Sequence, residues 1–388
     1  MNQRHLLPII FQAIMLLIIL SALFGCSQSI SKAPERILVG AIRWDAWHTP
    51  AQLLTGEDPV KSVERSLSPK RYHFRVPFFG KIISDSVIKI DGYTSKIMDE
   101  EIKYAMNGGL DYWAFLLYDP NSSMSQGLAH YLSSKKRSAI NFCAIAQPDN
   151  LCFDEKSGNG ETRLLKLFKE PGYQKVAGDR PLIYIFRPED EWVEKIGGLD
   201  KTRKLIDAFR MESIKAHCGN PYVVVMHFNV EHAKKMADIL GAEAISDYAI
   251  WGSGGLNGTP YSELTAATRN VWTRSESTGA QVVPLVMSGW DRRPRIERPV
   301  PWERSYQKPY VGMEKYFSLP TPEELAAHLK DAITWTKSRK QVCPAKTVLV
   351  YAWNEHDEGG WLCPTLDKNN QPDDSRLKAL NKVIHSLN

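Results

Sequence analysis

Apolar and polar positions along the chain fall into blocks of two kinds. The first is a short, nearly unbroken apolar run. Eight of these recur: "RILVGAIRWD" at 36–45, "LDYWAFLLY" at 110–118, "AINFCAIA" at 139–146, "PLIYIF" at 181–186, "PYVVVMHF" at 221–228, "AISDYAIW" at 244–251, "QVVPLVMSGW" at 281–290 and "TVLVYAWNE" at 347–355. Runs this continuous are expected of strands buried on both faces of a parallel sheet. The second kind of block has helical spacing. In 93–109, Ile97, Ile102 and Met106 recur at helical intervals before a Gly stop. In 321–340, Thr321, Pro322 and Glu324 predict a capping box with Pro at the first helical position, and Leu325, Leu329 and Ile333 form an apolar stripe.

Eight strands alternating with helices predict a (β/α)8 TIM barrel, with a doubly wound open sheet as the fallback. Two connections exceed a simple helix: 46–92 after strand one, and 252–280 after strand six. Long βα loops of a barrel lie on its catalytic face. The second begins "GSGGLNGTPY" but lacks the Lys-Ser/Thr partner that a phosphate cradle needs.

The N-terminus changes the picture of where such a domain works. "MNQRH" is positively charged, "LLPIIFQAIMLLIILSALFG" is almost wholly apolar, and Cys26 follows at once. This is the plan of a signal peptide over 1–25. "LFGC" resembles the bacterial lipoprotein box, which implies lipidation at Cys26, a polar tether over 26–36 and one catalytic domain over 37–388. An uncleaved membrane anchor is the alternative, since about twenty apolar residues span a bilayer. Either places the body outside the cytoplasm; the lipoprotein reading puts it in the bacterial cell envelope, periplasmic or surface-exposed, with the membrane reached through Cys26.

The net charge of +5 is spread without a long basic run, which argues against nucleic acid as a partner. No obligate protein partner is evident. Cys143, Cys152, Cys218, Cys343 and Cys363 remain after Cys26. Export permits disulfides, and Cys143–Cys152 and Cys343–Cys363 are the pairings their positions suggest. No His or Cys cluster has ligand spacing, so neither metal nor cofactor is expected.

Barrel enzymes take their working groups from the C-terminal ends of strands. Those ends give a list rich in carboxylates and aromatic rings. Strand one ends with Trp44, Asp45, Trp47 and His48, and strand two with Tyr118. Strand five ends with His227, strand seven with Trp290 and Asp291. Strand eight brings Trp353, Asn354 and Glu355, then Glu358 and Trp361. Carboxyl pairs beside flat rings suit glycosidic bond cleavage, where one carboxyl delivers a proton and another acts across the anomeric carbon. Alternation along strand eight puts Tyr351, Trp353 and Glu355 on one face, and a turn at Gly359-Gly360 brings Glu358 to the same side. Asp45 and Asp291 have an alternative use as helix caps, and His227 as a satisfied polar residue.

"AWNEHDEGGWLCP" resembles the strand-eight motif of glycoside hydrolase family 99, the endo-α-mannosidases, and of the related WbsX-like proteins. "PLVMSGWDRRPR" at 284–295 and "GGLDYWAFLLY" at 108–118 are similar to WbsX-like segments. The resemblance implies a barrel and retaining hydrolysis of a glycan, of α-mannoside type. It implies Glu355 as the base that draws the sugar 2-hydroxyl proton, closing a 1,2-anhydro sugar, and Glu358 as general acid/base. His356 and Asp357 stand where the family has an aromatic residue and a His, and Cys363 replaces the Glu before its Pro. A non-catalytic carbohydrate-binding lipoprotein and a polysaccharide-assembly protein are the competing readings.

Overall fold

The computed structural model describes residues 36–48, 58–92, 94–151, 162–252, 254–303 and 306–387. The expected leader, Cys26, the tether up to residue 35 and Cys152 lie outside the described residues. Among the described residues no helix is long and apolar enough to cross a membrane.

Nine parallel strand segments form one sheet: β1 (Leu38–Arg43), β2 (Tyr112–Leu116), β3 (Asn141–Ala146), β4 (Arg180–Phe186), β5 (Tyr222–Met226), β6 (Ala244–Ser246), β7 (Gln281–Val282), β8 (Leu285–Met287) and β9 (Thr347–Tyr351). Their spatial order is β7-β6-β5-β4-β3-β2-β1-β9-β8. All eight predicted apolar runs enter this sheet. The two ends of the order belong to a single run, in which β7 pairs with β6 and β8 with β9. Val283 still donates to Ile245 O at 3.1 Å, while Pro284 O accepts from Leu349 at 3.0 Å. Proline has no N–H to offer a ladder, so the run changes partner there.

The sheet is curled. The Tyr112 hydroxyl on β2 lies 3.1 Å from that of Tyr184 on β4 and 2.9 Å from Thr347 Oγ1 on β9, and none of these strands are neighbours. Helices separate the strands of successive apolar runs and cover the sheet. The helix Ser95–Asn107 starts where the pattern predicts, with Thr94 accepting from Ile97 N, and Pro322–Ser338 carries the predicted capping box. Leu325, Leu329 and Ile333 are buried, as the stripe requires.

The connection after β1 folds into a helix (Pro59–Leu67), a 3-10 turn (Lys70–Arg75) and a hairpin (Lys81–Ser84 with Val87–Lys89). A third long connection, 288–321 after β8, adds to the two the sequence predicts. The Cys343–Cys363 pairing is not formed: both are free and buried, as is Cys143. Cys343 precedes β9 and Cys363 follows it, so a five-residue strand of roughly 16 Å stands between them. A disulfide needs Cα atoms within about 7 Å.

Candidate functional site

The segment that ends β9 makes a small closed hairpin. Asn354–Glu355 pairs antiparallel with Gly360–Trp361, and His356–Glu358 forms a single 3-10 turn between them. Side chains three residues apart eclipse in such a turn. Glu355 and Glu358 therefore emerge on one side, as expected. Gly359 closes the turn at φ 86°, and a Cβ there would lie 2.5 Å from Asp291 N. Asp291 N in turn donates to Glu358 O at 2.8 Å. The loops after β8 and β9 are thus joined through backbone.

Both Glu side chains face a cavity of about 910 Å³ at the C-terminal ends of the strands. Its wall also includes Trp44, Tyr118, Phe228, Tyr248, Trp251, Trp290 and Trp302. Trp251 and Trp290 stack with centroids 5.6 Å apart, and Trp44 meets Trp302 edge-on at 5.4 Å. Trp44 is held firmly: its Nε1 donates to the Tyr118 hydroxyl at 2.7 Å, and Asn354 accepts from its N at 2.9 Å and donates to its O at 2.6 Å.

Arg295 sits beneath the pair. Its Nη2 lies 3.2 Å from Glu355 Oε2, its Nη1 donates to Glu358 Oε1, and Asp357 takes Nε at 2.8 Å and Nη2 at 3.0 Å. Glu358 also meets Arg292 Nε at 3.1 Å and accepts from the Tyr351 hydroxyl. Glu355 accepts from the Tyr248 hydroxyl at 2.8 Å. These environments push the two carboxyls apart. Burial, then the charge of Glu358, raises Glu355 well above the usual carboxylate range, against the pull of Arg295. Burial would raise Glu358 too, but Arg295 and Arg292 outweigh it and hold it below that range. Burial also raises Glu303, a third carboxyl on the cavity wall.

The remaining predicted contacts fall behind the wall. Asp45 is buried against Arg43 Nε at 2.9 Å, and Arg43 Nη2 reaches Glu101 at 3.0 Å. Trp353 is buried, with Nε1 donating to Glu101 at 2.9 Å, so it does not share a face with Tyr351 and Glu355. Strand pairing stops at Tyr351, which ends the alternation the sequence implies. Asp291 is ion-paired with Arg75 and, at 2.8 Å, with Arg293. His48 is buried beside Asp45, and Trp47 and Trp361 flank the ring of His356. Asp45, Trp47, His48, Asp291, Trp353, Asn354 and Trp361 thus frame the cavity from outside its lining.

His227 lies away from the pair, in a cluster with Glu189 and His232 whose ligand atoms sit within 4.8 Å of one another. Spacing along the chain gave no sign of this metal-like trio, because Glu189 comes from the end of another strand. The fit to a cation is poor. Asn229 N donates to His227 Nδ1 at 3.0 Å, which leaves the neutral ring's proton on Nε2, facing Glu189 at 3.3 Å. Arg187 Nη2 occupies the same Glu189 carboxylate at 2.9 Å. The trio is a hydrogen-bonded unit of the rim.

Arg292, Arg295 and Glu303 were not among the residues expected from strand ends. They stand in the connection after β8; the short motif "DRRPR" at 291–295 marks the two Arg, and Glu303 lies outside it.

No family model and no curated protein matches the chain. Among solved structures, its fold is similar to one described as a glycoside hydrolase-like protein (TM-score 0.55, 13% identity, covering 93% of this chain and 97% of that one). It is also similar to the GH99 endo-α-mannosidase from Bacteroides thetaiotaomicron, including its complex with bis-tris-propane (TM-scores 0.52 and 0.53, 12% identity, 90% of this chain and 97% of that one). At such identities the likeness is one of fold: a mostly parallel, curled α/β sheet covered by helices.

Proposed function

We propose that the chain is a glycoside hydrolase acting on an α-linked glycan, with Glu355 and Glu358 as its working carboxyls. The observation that carries this reading is that both open into one aromatic-walled cavity at the strand ends while their environments drive their proton affinities apart. Glycoside cleavage needs such a pair, one carboxyl protonated and one ionised. Trp290 and Trp251 offer flat faces for a sugar, and Trp44 and Trp302 offer edges beside the reacting groups. The likeness in fold to a GH99 endo-α-mannosidase supports an α-mannoside as the substrate, and the resemblance of the strand-eight motif implies cleavage through a 1,2-anhydro sugar.

The partner exchange at Pro284 supports reading the sheet as a closed (β/α)8 barrel. The apolar leader and Cys26 support export and lipid anchoring in a bacterial envelope. Hydrolysis is tested by incubating the protein with α-linked manno-oligosaccharides and other α-glycans and following reducing sugar. The grip of Arg295 on both carboxyls favours a second reading, a carbohydrate-binding lipoprotein. Tight glycan binding by calorimetry with no product on long incubation would select it.

A further inference from the structure

The cations of the cavity wall divide into two groups. Arg292 and Arg295 are committed to carboxylates of the same wall, Glu303, Glu355 and Glu358. Arg187 and Lys315 also line the cavity, and neither meets any of those three carboxylates. Lys315 is exposed and, among the described residues, makes no ion pair. Arg187 pairs with Glu189 alone among the described residues, through Nη2 at 2.9 Å. Glu189 is not part of the lining, and it is held in turn by His227 and His232, each at 3.3 Å.

Arg187 is held in a fixed direction. It follows β4, its N donates to Met226 O at 2.8 Å, and its φ is 48°. A residue with a Cβ is strained in that left-handed region, and such positions cluster where a side chain has a ligand to meet. The guanidinium lies over the ring of Phe228, 5.4 Å from its centroid. Glu189 and this ring orient it, yet the side chain is 48% exposed and its Nε and Nη1 meet no carboxylate among the described residues. A row of rings joins this cation to the reacting groups. Tyr351, which donates to Glu358, is 5.8 Å from Trp290; Trp290 is 5.6 Å from Trp251, and Trp251 is 5.2 Å from Phe228. Such rings are platforms for sugar faces, so a glycan that follows the row away from the carboxyls arrives at Arg187.

We propose that the cavity takes an acidic glycan, in which Arg187 binds an anionic substituent, a carboxylate or a sulfate, on a sugar away from the scissile bond, with Lys315 adding positive charge. The planar guanidinium matches either group with two parallel N–H···O bonds. A neutral chain still lies on the rings, but leaves both cations without a counter-charge. The place of the cleaved bond rests on the hydrolase reading; the anion site does not need turnover.

Calorimetry on Glu355→Gln, in which turnover is suppressed, compares three forms of one α-linked manno-oligosaccharide: neutral, oxidised at C6 to the uronate, and sulfated at O6. One acidic form binds roughly 10-fold more tightly than the neutral one, and which of the two does so identifies the substituent. The preference shrinks in about 0.5 M salt. Adding Arg187→Gln removes it. Adding Lys215→Gln keeps it, since Lys215 ends the helix Leu199–Lys215 ahead of β5, away from the strand ends that form the cavity. Equal binding of all three forms, tightest binding of the neutral one, binding of none, or a preference that survives Arg187→Gln overturns the inference. Reducing-sugar release by the wild type separates this from the hydrolase reading. Equal binding and equal product from all three forms would leave the hydrolase standing without the anion site. An acidic preference in binding with no product from any form would remove the hydrolase and keep the anion site.

Discussion

The Tyr248 hydroxyl donates to Glu355 Oε1 at 2.8 Å, the single uncharged donor on that carboxyl among the described residues. Tyr248 is buried two residues past β6 and lines the cavity, and it meets Oε1 of Glu355 where Arg295 meets Oε2. Tyr248→Phe keeps the ring contacts with Phe186 and Tyr351 and removes only the donor. It is expected to lower kcat by about 10- to 100-fold, from a lost hydrogen bond to an ionisable group of roughly 1.5–3 kcal/mol. The folded state stays intact, as a near-unchanged thermal midpoint would show.

The carboxyl pair predicts stability changes of opposite sign. Glu355 is raised, so the folded state holds a proton that the unfolded chain has lost above about pH 4.3. Stability therefore falls as pH rises from there toward the raised value. Glu355→Gln, isosteric with the protonated form, is expected to raise stability at pH 7, with the gain fading at pH 4. Glu358 is lowered, so its contribution is present above the ordinary carboxylate range and lost as pH falls through its depressed value. Glu358→Gln is expected to cost about 3–5 kcal/mol at pH 7 and less in acid. Denaturant titrations at the two pH values read both signs.

His356 predicts a share of the acid sensitivity. Burial pushes its pKa down to about 3, and its ring lies between Trp47 and Trp361 at 4.9 and 5.6 Å. The unfolded chain protonates this His below about pH 6.5 while the folded one does not until much lower. Acidification through that window therefore destabilises the fold. In His356→Phe the stacking persists and the fall in thermal midpoint between pH 6.5 and pH 4 becomes shallower. An identical slope in the two proteins would assign the acid sensitivity elsewhere.

Gly359 joins the loops after β8 and β9. It has φ 86°, and a Cβ there would press on Asp291 N at 2.5 Å. Gly178 has φ 81° with nothing within 4 Å. A left-handed alanine costs about 1 kcal/mol at either position, but only Gly359→Ala must also push the backbones of the β8 and β9 loops apart. It is expected to abolish hydrolysis and lower the thermal midpoint clearly, where Gly178→Ala leaves activity unchanged.

Much of this fold is legible in the sequence because buried parallel strands leave continuous apolar runs, and all eight are strands here. The capping residues Thr94 and Thr321 mark helix starts for an equally local reason. The turn that aligns Glu355 and Glu358 is local too. What the sequence does not show is what faces these groups. Trp353 and Asp45 have the chemistry of a sugar site, yet partners far along the chain, Glu101 for Trp353 and Asn354 near Asp45, hold them behind the wall. Arg295 stands in a short helix (Arg293–Glu297) and Glu303 in a 3-10 turn (Pro301–Glu303), both too brief to leave a periodicity, and only the fold carries them to the carboxyl pair.

The most direct test of the account compares wild type, Glu355→Gln and Glu358→Gln on α-linked manno-oligosaccharides, with product followed by reducing-sugar release and binding by calorimetry. The account predicts product from the wild type, a loss of at least about 10²-fold in each variant, and glycan affinity kept within a few-fold. Full activity in both variants, or tight binding by a wild type that releases no product, would contradict it.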